Sequence, residues 1–289
     1  MATPILHPNW TRPAHNMVDG YSIEITAKDV ASLEAAASAM PVDTPVAITF
    51  LPGEAMDARV AAAKRVRELG FEPMPHFSAR RIGSAEEFEN YLATVVAEAG
   101  VRRCFVIAGD PSEPEGPFAD SSALIGSGAF ERAGIRAIGI GGHPEGHPHM
   151  TPDQGWQVLQ AKCAEIATRG MAPLIVTQFA FDAAAVLRWV AEARARGIDV
   201  PIRIGVPGPA GIKTLVRFAA RCGVGASASV LAKYGISIGQ LLGTAGPDKL
   251  VAALAAGMGP EHGPLRLHFY PFGGVEKTVA WIADYDRAH

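Results

Sequence analysis

The segment 138–150, IGIGGHPEGHPHM, is the part of the chain most able to do chemistry. Its histidines are His143, His147 and His149. Three imidazoles could hold a metal ion such as zinc. Alternatively, Pro144 and Pro148 stiffen a loop whose glycines let backbone approach a flat or phosphorylated ligand. Barrel zinc hydrolases typically carry His-x-His after an early strand, whereas this pair follows the fifth predicted strand. The pattern therefore favours a ligand-gripping loop over a metal site.

A carboxylate sits inside the first predicted strand, YSIEIT (21–26). Strand side chains alternate between faces, so Ile23 and Ile25 face the helices, and Glu24 faces the barrel interior with its neighbours two residues away. Burying a carboxylate is costly unless it is paired, and burial favours the protonated form. A protonated carboxyl in a shielded site can act as a general acid. The alternative is a structural glutamate bonded to a neighbouring strand.

Other polar residues follow later predicted strands. Asp110 comes after Gly109 in AGD, Gln178 ends PLIVTQ, and His76 ends EPMPHF. Glycine permits a tight turn that aims the aspartate into the mouth, and a glutamine amide matches heterocycles with a donor beside an acceptor. Each has a structural alternative: an Asx-turn, a rim hydrogen bond and a buried structural histidine. We expect Asp182 to cap the helix that follows.

Short apolar runs alternate with alanine-rich amphipathic stretches along the whole chain. The predicted strands are 21–26, 46–50, 72–77, 103–108, 135–140, 173–178, 201–206 and 266–270. The predicted helices are 29–40, 57–70, 84–100, 119–133, 152–169, 182–196, 211–222, 226–243, 247–257 and 275–285. Eight such units predict a (β/α)8 TIM barrel, an α/β fold, with extra short helices over 226–243 before the last strand. A doubly wound sheet is the competitor, but no G-x-G-x-x-G follows an early strand.

Composition bounds the class of protein. The chain has 289 residues, 48% of them hydrophobic, and no Pro/Ser-rich linker, so we predict one catalytic domain over 1–289. A net charge of −3 without a basic stripe argues against nucleic acid. Three scattered cysteines, no signal-peptide pattern and no long apolar run predict a cytoplasmic protein that does not enter membranes. A homo-oligomer is compatible with the sequence.

Taken in order, these residues resemble the methylenetetrahydrofolate reductase family, in its short bacterial form with only the catalytic barrel. The matching segments are Glu24 in the first strand, PMPHFS around His76, AGD at 108–110, HPEGHP at 143–148, TQFAFD at 177–182 and HFY at 268–270. Each segment is weak alone, but their order and spacing are specific and cover most of the chain.

The resemblance implies an oxidoreductase of one-carbon metabolism and methionine biosynthesis. It would interconvert 5,10-methylenetetrahydrofolate and 5-methyltetrahydrofolate, passing hydride from NAD(P)H through FAD. Glu24 falls on the family's general acid, which helps to open the five-membered ring. Asp110 and Gln178 fall on positions that bind the folate substrate. The positions that contact the cofactor would be Thr49, His76, Gly109, Asp110, His143, His147 and Lys162. The histidine-rich loop then forms a flavin wall, with no metal.

The chain also departs from the family pattern. Ala108 replaces an arginine of the flavin site, Ala161 stands where a phosphate-binding arginine is expected, and an arginine after HFY is absent. Fewer cations near a diphosphate weaken FAD binding. Three alternatives therefore stay open: direct hydride transfer without flavin, a metal-dependent hydrolase using His143, His147 and His149, and a folate-binding protein without redox activity. The sequence does not separate NADH from NADPH or fix the reaction direction.

Overall fold

A computed structural model describes residues 14–224 and 243–289. Eight parallel strands close into a barrel in the order β1-β10-β7-β6-β5-β4-β3-β2. They are β1 Ser22–Ile25, β2 Pro45–Ile48, β3 Glu72–Ser78, β4 Arg103–Ile107, β5 Ala137–Gly142, β6 Ala172–Phe179, β7 Ile202–Pro207 and β10 Leu265–Tyr270. A two-stranded antiparallel pair, β8 Ala210–Gly211 and β9 Thr244–Ala245, lies between them in sequence. The predicted (β/α)8 barrel is confirmed.

Helices cover the outside of the barrel. They are α1 Val30–Ala36, α2 Met56–Glu68, α3 Ala85–Ala99, α4 Ser121–Gly126, α5 Ala129–Arg132, α6 Pro152–Thr168, α7 Ala183–Ala195, α8 Ile212–Arg221, α9 Asp248–Gly257 and α10 Val275–Ala288. Short 3-10 turns include Ala27–Asp29, Ala37–Ala39 and Ala79–Arg81. None of these described helices is both long and apolar enough to cross a membrane.

Side-chain caps set several helix starts. The Ser84 hydroxyl accepts the Glu87 N–H, and the Asp182 carboxylate accepts the Ala184 N–H, as predicted. Thr151 forms a capping box with Gln154 at the start of α6. These caps fix where each chain segment leaves the barrel mouth, which is the end that carries the polar residues.

Two predicted helices differ from the structure. The stretch 119–133 forms two short helices, because Gly128 takes a left-handed conformation (φ 79°) between α4 and α5. The stretch 29–40 is helical only over Val30–Ala36 and tightens into 3-10 turns at both ends. The predicted extra helices over 226–243 fall almost wholly outside the described residues.

The barrel interior has layers of different polarity. A small apolar cluster of Ala47, Met74, Phe105, Leu174 and Val176 packs there, separate from the main core between strands and helices. Arginines that the sequence analysis did not single out, Arg203 and Arg266, are also buried on β7 and β10, two residues before Gly205 and His268 respectively. Burial, with nearby Arg103 and Arg266, lowers the pKa of Arg203 to about 9.

Candidate functional site at the barrel mouth

Glu24 lies near the end of β1, beside two histidines from other strands. Its Oε2 is 3.6 Å from His76 Nε2 on β3 and 3.9 Å from His268 Nε2 on β10. Ile23 and Ile25 pack in the main core, so Glu24 takes the opposite face, as the alternation predicts. Its side chain is 20% exposed, which leaves it open to the mouth. A carboxyl and two imidazoles thus converge at one point.

Both imidazoles are held neutral by their surroundings. Burial lowers the pKa of His76 to about 4 and also lowers the pKa of His268. His268 Nδ1 is hydrogen-bonded to the Ser22 hydroxyl at 2.8 Å, which orients the ring and leaves Nε2 facing Glu24. Among the described residues, no Lys or Arg pairs with Glu24. The carboxyl therefore has polar neighbours without a fixed positive charge.

An apolar floor lies under His76 in the barrel interior. Phe105 lies under His76, with ring centroids 4.7 Å apart, and belongs to the interior cluster with Ala47 and Met74. Gly139 on β5 makes room for that ring, since a Cβ there would lie 2.4 Å from Phe105 Cδ2. Apolar side chains therefore fill the part of the barrel interior that lies below His76.

Asp110 lies just beyond β4, on the loop that follows Gly109. Gly109 has φ +95°, and a Cβ there would meet the Ser78 hydroxyl at 2.3 Å, so glycine is needed at this turn. The Asp110 carboxylate is 61% exposed and accepts two hydrogen bonds from Arg81, at 2.7 and 2.8 Å. Arg81 lowers the pKa of Asp110, and Arg221 contributes to the same shift. The aspartate is therefore an anchored, accessible anion.

The end of α8 connects the two sides of the mouth. Arg221 acts on the pKa of Asp110, and Glu24 contributes to the raised pKa of the adjacent Cys222, whose main cause is burial. Glu24 lies near the end of β1 and Asp110 lies just after β4, and the carboxyl ends of parallel barrel strands lie at the same end. The sequence-predicted general acid and the predicted substrate aspartate therefore share the same end of the barrel.

Thr49 and Gln178 border the same opening. Thr49 follows β2, and its backbone N–H bonds the Ile25 carbonyl at 2.8 Å, which places it beside the end of β1. The Gln178 amide oxygen accepts the Phe179 N–H at 3.1 Å, at a register shift in β6. Its neighbour Thr177 is fully buried, bonds the Gly205 N–H at 2.8 Å, and receives the Tyr270 hydroxyl on its carbonyl. Thr177 is thus structural, whereas Gln178 is partly exposed.

The histidine-rich loop after β5 is held in place by a hydrogen bond and by contacts between its rings. The Glu145 carboxylate accepts the Phe181 N–H at 3.1 Å, tying the loop to the turn before α7. His143 and His147 meet edge to face, with ring centroids 4.7 Å apart. His147 Nδ1 accepts the His149 N–H at 3.1 Å, so this nitrogen is not free for a metal. Within the described part of the chain, no three His, Cys, Asp or Glu side chains are grouped to hold a metal ion.

A cavity of about 550 Å³ opens beside this loop, between α6 and α7. Its lining includes Gly141, His143, Gly146, His147, Trp156, Leu159, Arg188, Trp189 and Glu192. Trp156 and Trp189 stack with ring centroids 5.2 Å apart. Burial, then His147 and Lys162, lower the pKa of His143 to about 4. Lys162 is therefore close to the loop, although its own pKa is lowered mainly by burial and it does not line the cavity.

Two residues at this site were not predicted from sequence. The sequence offers His268 only as part of HFY and as a strand-end histidine that completes no metal set, although its two-residue spacing from Tyr270 shows that both side chains share a strand face. Arg81 has no role in the predictions from the sequence. No local pattern pairs it with Asp110, because the contact crosses from one strand end to the next.

The fold is a closed (β/α)8 barrel. A carboxyl, two neutral imidazoles and a cavity lie at the carboxyl ends of its strands, where barrel proteins carry their ligand sites. These features define the class of protein. Comparison of the sequence with known families identifies the family. A family model described as methylenetetrahydrofolate reductase matches residues 26–236. The chain belongs to the methylenetetrahydrofolate reductase family. The match begins at Thr26, two residues after Glu24.

Individual relatives agree with this placement. A maize protein, methylenetetrahydrofolate reductase (NADH) 1, is 26% identical over 53% of this chain and 28% of its own length. A Pectobacterium carotovorum 5,10-methylenetetrahydrofolate reductase is 30% identical over 54% of this chain and 50% of its own length. The matches thus span half or less of these relatives. A Clostridium thermocellum protein described as binding 5-methyl-5,6,7,8-tetrahydrofolic acid shares the fold, with TM-score 0.64, 13% identity, and coverage of 95% of this chain and 96% of that one.

Proposed function

We propose that this protein interconverts 5,10-methylenetetrahydrofolate and 5-methyltetrahydrofolate with hydride from NAD(P)H. Family membership supports reduction of methylenetetrahydrofolate in general. The observation that carries the proposal is the position of Glu24, within 4 Å of the neutral His76 and His268 at the barrel mouth. Opening the methylene bridge requires a proton at a nitrogen, and a shielded carboxyl is a suitable donor.

The chain's own residues would handle that proton. Glu24 would give a proton to the leaving nitrogen as the five-membered ring opens to an iminium, which then accepts hydride. His76 and His268 offer hydrogen-bond partners to the carboxyl without adding positive charge, because burial keeps both neutral at pH 7. Ser22 holds His268 in place for this role. The apolar floor under His76 adds to the burial that favours the neutral form of this imidazole.

Asp110 and Gln178 would bind the pterin ring. Asp110 is an exposed anion whose two oxygens keep acceptor capacity beyond the bonds from Arg81. A pterin presents N–H donors next to a carbonyl acceptor, and the Gln178 amide can both donate and accept. The alternative Asx-turn and rim-bond interpretations of these two residues predict no effect on folate binding, so substitution separates the readings.

The residues at the mouth fit the ring system of a flavin better than its diphosphate. Thr49, His76, Gly109, His143 and His147 offer small or flat surfaces, and a Cβ at Gly146 would meet nothing within 4 Å. Among the described residues that line the cavity, Arg188 is the only Lys or Arg, and Trp156 and Leu159 make the α6 wall apolar. We infer that FAD fits the mouth and the adjoining cavity and binds weakly, and that Lys162 lies near the histidine-rich loop.

When bound, FAD would take hydride from NAD(P)H and supply it to the folate. Weak binding of FAD would leave a second candidate, in which nicotinamide passes hydride to the folate directly; because NAD(P)H also has a diphosphate, dependence on flavin separates the two routes. Glu24 has the same part in both. We place the reaction in the cytoplasm, supported by three free cysteines.

The proposal is tested by incubating the protein anaerobically with 5,10-methylenetetrahydrofolate and NADH or NADPH, with and without added FAD. We expect 5-methyltetrahydrofolate by chromatography, together with oxidation of one nicotinamide. If the protein binds folate but forms no product with either nicotinamide, with or without FAD, it is instead a folate-binding protein. Dependence of the rate on added FAD separates the two hydride routes.

A further inference from the structure

A guanidinium and a carboxylate meet at the mouth from neighbouring strands. Arg81 ends the 3-10 turn after β3, and Asp110 follows β4. The two strands pair in register up to Ser78 and Ile107, so both residues leave the barrel at the same edge. Arg81 Nε and Nη2 donate to Asp110 Oδ1 and Oδ2 at 2.7 and 2.8 Å, a two-point contact that fixes the carboxylate plane.

Other contacts hold Arg81 itself in place. Its Nη1 donates to Glu115 at 3.3 Å, and its guanidinium lies 5.9 Å from the Phe50 ring centroid. Its side chain is only 18% exposed, whereas that of Asp110 is 61% exposed. A well-packed cation therefore orients an anion that is open to ligands.

The backbone next to Arg81 has a separate task. The Arg80 N–H donates to the Ala108 carbonyl at 2.8 Å, and the Arg80 carbonyl accepts the Glu115 N–H at 2.7 Å. The Arg80 side chain donates to the carbonyls of Ala119 and Pro111. Arg80 thus secures the loop backbone, whereas Arg81 contacts the side chains of Asp110 and Glu115. Its two shortest bonds are those to Asp110.

We propose that Arg81 is a positioning residue, which holds the Asp110 carboxylate in the orientation that accepts the pterin of the folate substrate. This rests on the proposed function. The family pattern has an arginine at the position of Ala108, immediately before the Gly109–Asp110 turn. Here a cation reaches the same turn from the neighbouring strand end. A two-point contact uses one lone pair on each carboxylate oxygen and leaves others for ligand N–H groups.

The test compares wild type, Arg81→Gln and Arg81→Lys in folate kinetics. We expect Arg81→Gln to raise the KM for methylenetetrahydrofolate about tenfold, with kcat changed by less than about threefold, because uniform binding is lost. Arg81→Lys keeps the charge but loses the two-point geometry, so it should recover part of the affinity. Arg132→Gln, which removes the exposed pair with Glu89, is the matched control and should behave as wild type.

A double-mutant cycle with Asp110→Asn separates positioning from general damage. If Arg81 acts through Asp110, Arg81→Gln should change KM by less than about twofold in the Asp110→Asn background. Equal effects in both backgrounds, or a wild-type KM in Arg81→Gln, would overturn the inference. If wild type binds 5-methyltetrahydrofolate but does not turn over, the proposed function fails, and calorimetry on the same variants still decides the role of Arg81. A wild type that neither turns over nor binds folate overturns both.

Discussion

Burial sets the charge of the histidines next to Glu24. A buried imidazole loses hydration when it gains a proton, so the neutral form is favoured. Burial lowers the pKa of His76 to about 4 and also lowers that of His268. His143, in the loop after β5, likewise has a pKa lowered to about 4, mainly by burial. At neutral pH the mouth therefore carries uncharged rings beside the carboxyl. The same feature makes the folded protein sensitive to acid.

We predict that stability falls as the pH drops from about 6.5 to about 4. In this window the unfolded chain binds protons at these histidines and the folded chain does not, so the free energy of unfolding decreases with acid. His76→Asn should make that decrease shallower in urea titrations, whereas His149→Asn, at an exposed position, should leave it unchanged. A His76→Asn variant that loses stability as steeply as wild type would show that His76 is not the cause.

Sequence patterns predict the position of a single side chain only where that position depends on neighbouring residues in the chain. Glu24 was placed in the barrel by strand alternation, and Asp182 was placed at a helix start by its position after β6. The approach of His76 and His268 to Glu24, and the contact of Asp110 with Arg81, depend on which strands are adjacent and how loops end. Those contacts arise from tertiary packing and have no local signature.

At the scale of elements, β5 and β4 set the floor of the site. Phe105 fills the interior under His76 because Gly139 on the neighbouring strand has no side chain. The next glycine in that strand, Gly141, has a freer position, since its Cβ would approach only His143 at 3.4 Å. The height of the floor, and with it the position of His76, therefore depends on one glycine.

Gly139→Ala should destabilise the protein by about 1–3 kcal/mol, because the added methyl group meets a ring that is packed on all sides. Gly141→Ala, on the same strand, should lie within about 0.5 kcal/mol of wild type. Denaturant unfolding of both variants measures the difference. Equal free energies of unfolding for the two variants would mean that the Phe105 ring can move to accommodate the added methyl group.

The element prediction succeeded where periodicity was strong and failed at a turn. Eight short apolar runs were found as strands because parallel strands buried on both faces have that composition. The sequence predicts one helix over 119–133, whereas the structure has α4 and α5 there. A glycine inside a helical pattern is compatible with either a continuous or a broken helix, and here its left-handed conformation breaks it.

At the scale of the whole molecule, the barrel offers its ligands two unlike surfaces. Small and flat residues surround the mouth, and an apolar cavity with the stacked indoles of Trp156 and Trp189 adjoins it. A planar ring is well matched to the first surface. If FAD occupies this cavity as proposed, Arg188 is the cation that its diphosphate would meet among the described lining residues. The resemblance implies fewer cations around that diphosphate, and this stays a prediction.

FAD and riboflavin should therefore respond differently to Arg188→Gln. We expect the Kd of FAD to rise about tenfold, the loss of one charge-assisted hydrogen bond, because only FAD has a diphosphate. Riboflavin should bind as it does to wild type. Fluorescence titration with both ligands measures this, with Arg132→Gln as the control. Parallel weakening of both ligands, or no change in either, would place the diphosphate elsewhere.

The most direct test of the account is turnover and folate binding by Glu24→Gln. If Glu24 supplies the proton that opens the methylene bridge, kcat should fall by about 10²- to 10⁴-fold, the range typical of a general acid. Folate affinity measured by calorimetry should stay close to wild type, because the amide keeps the size and polarity of the side chain. A Glu24→Gln enzyme with a near-normal rate would contradict the account and remove this carboxyl from the chemistry.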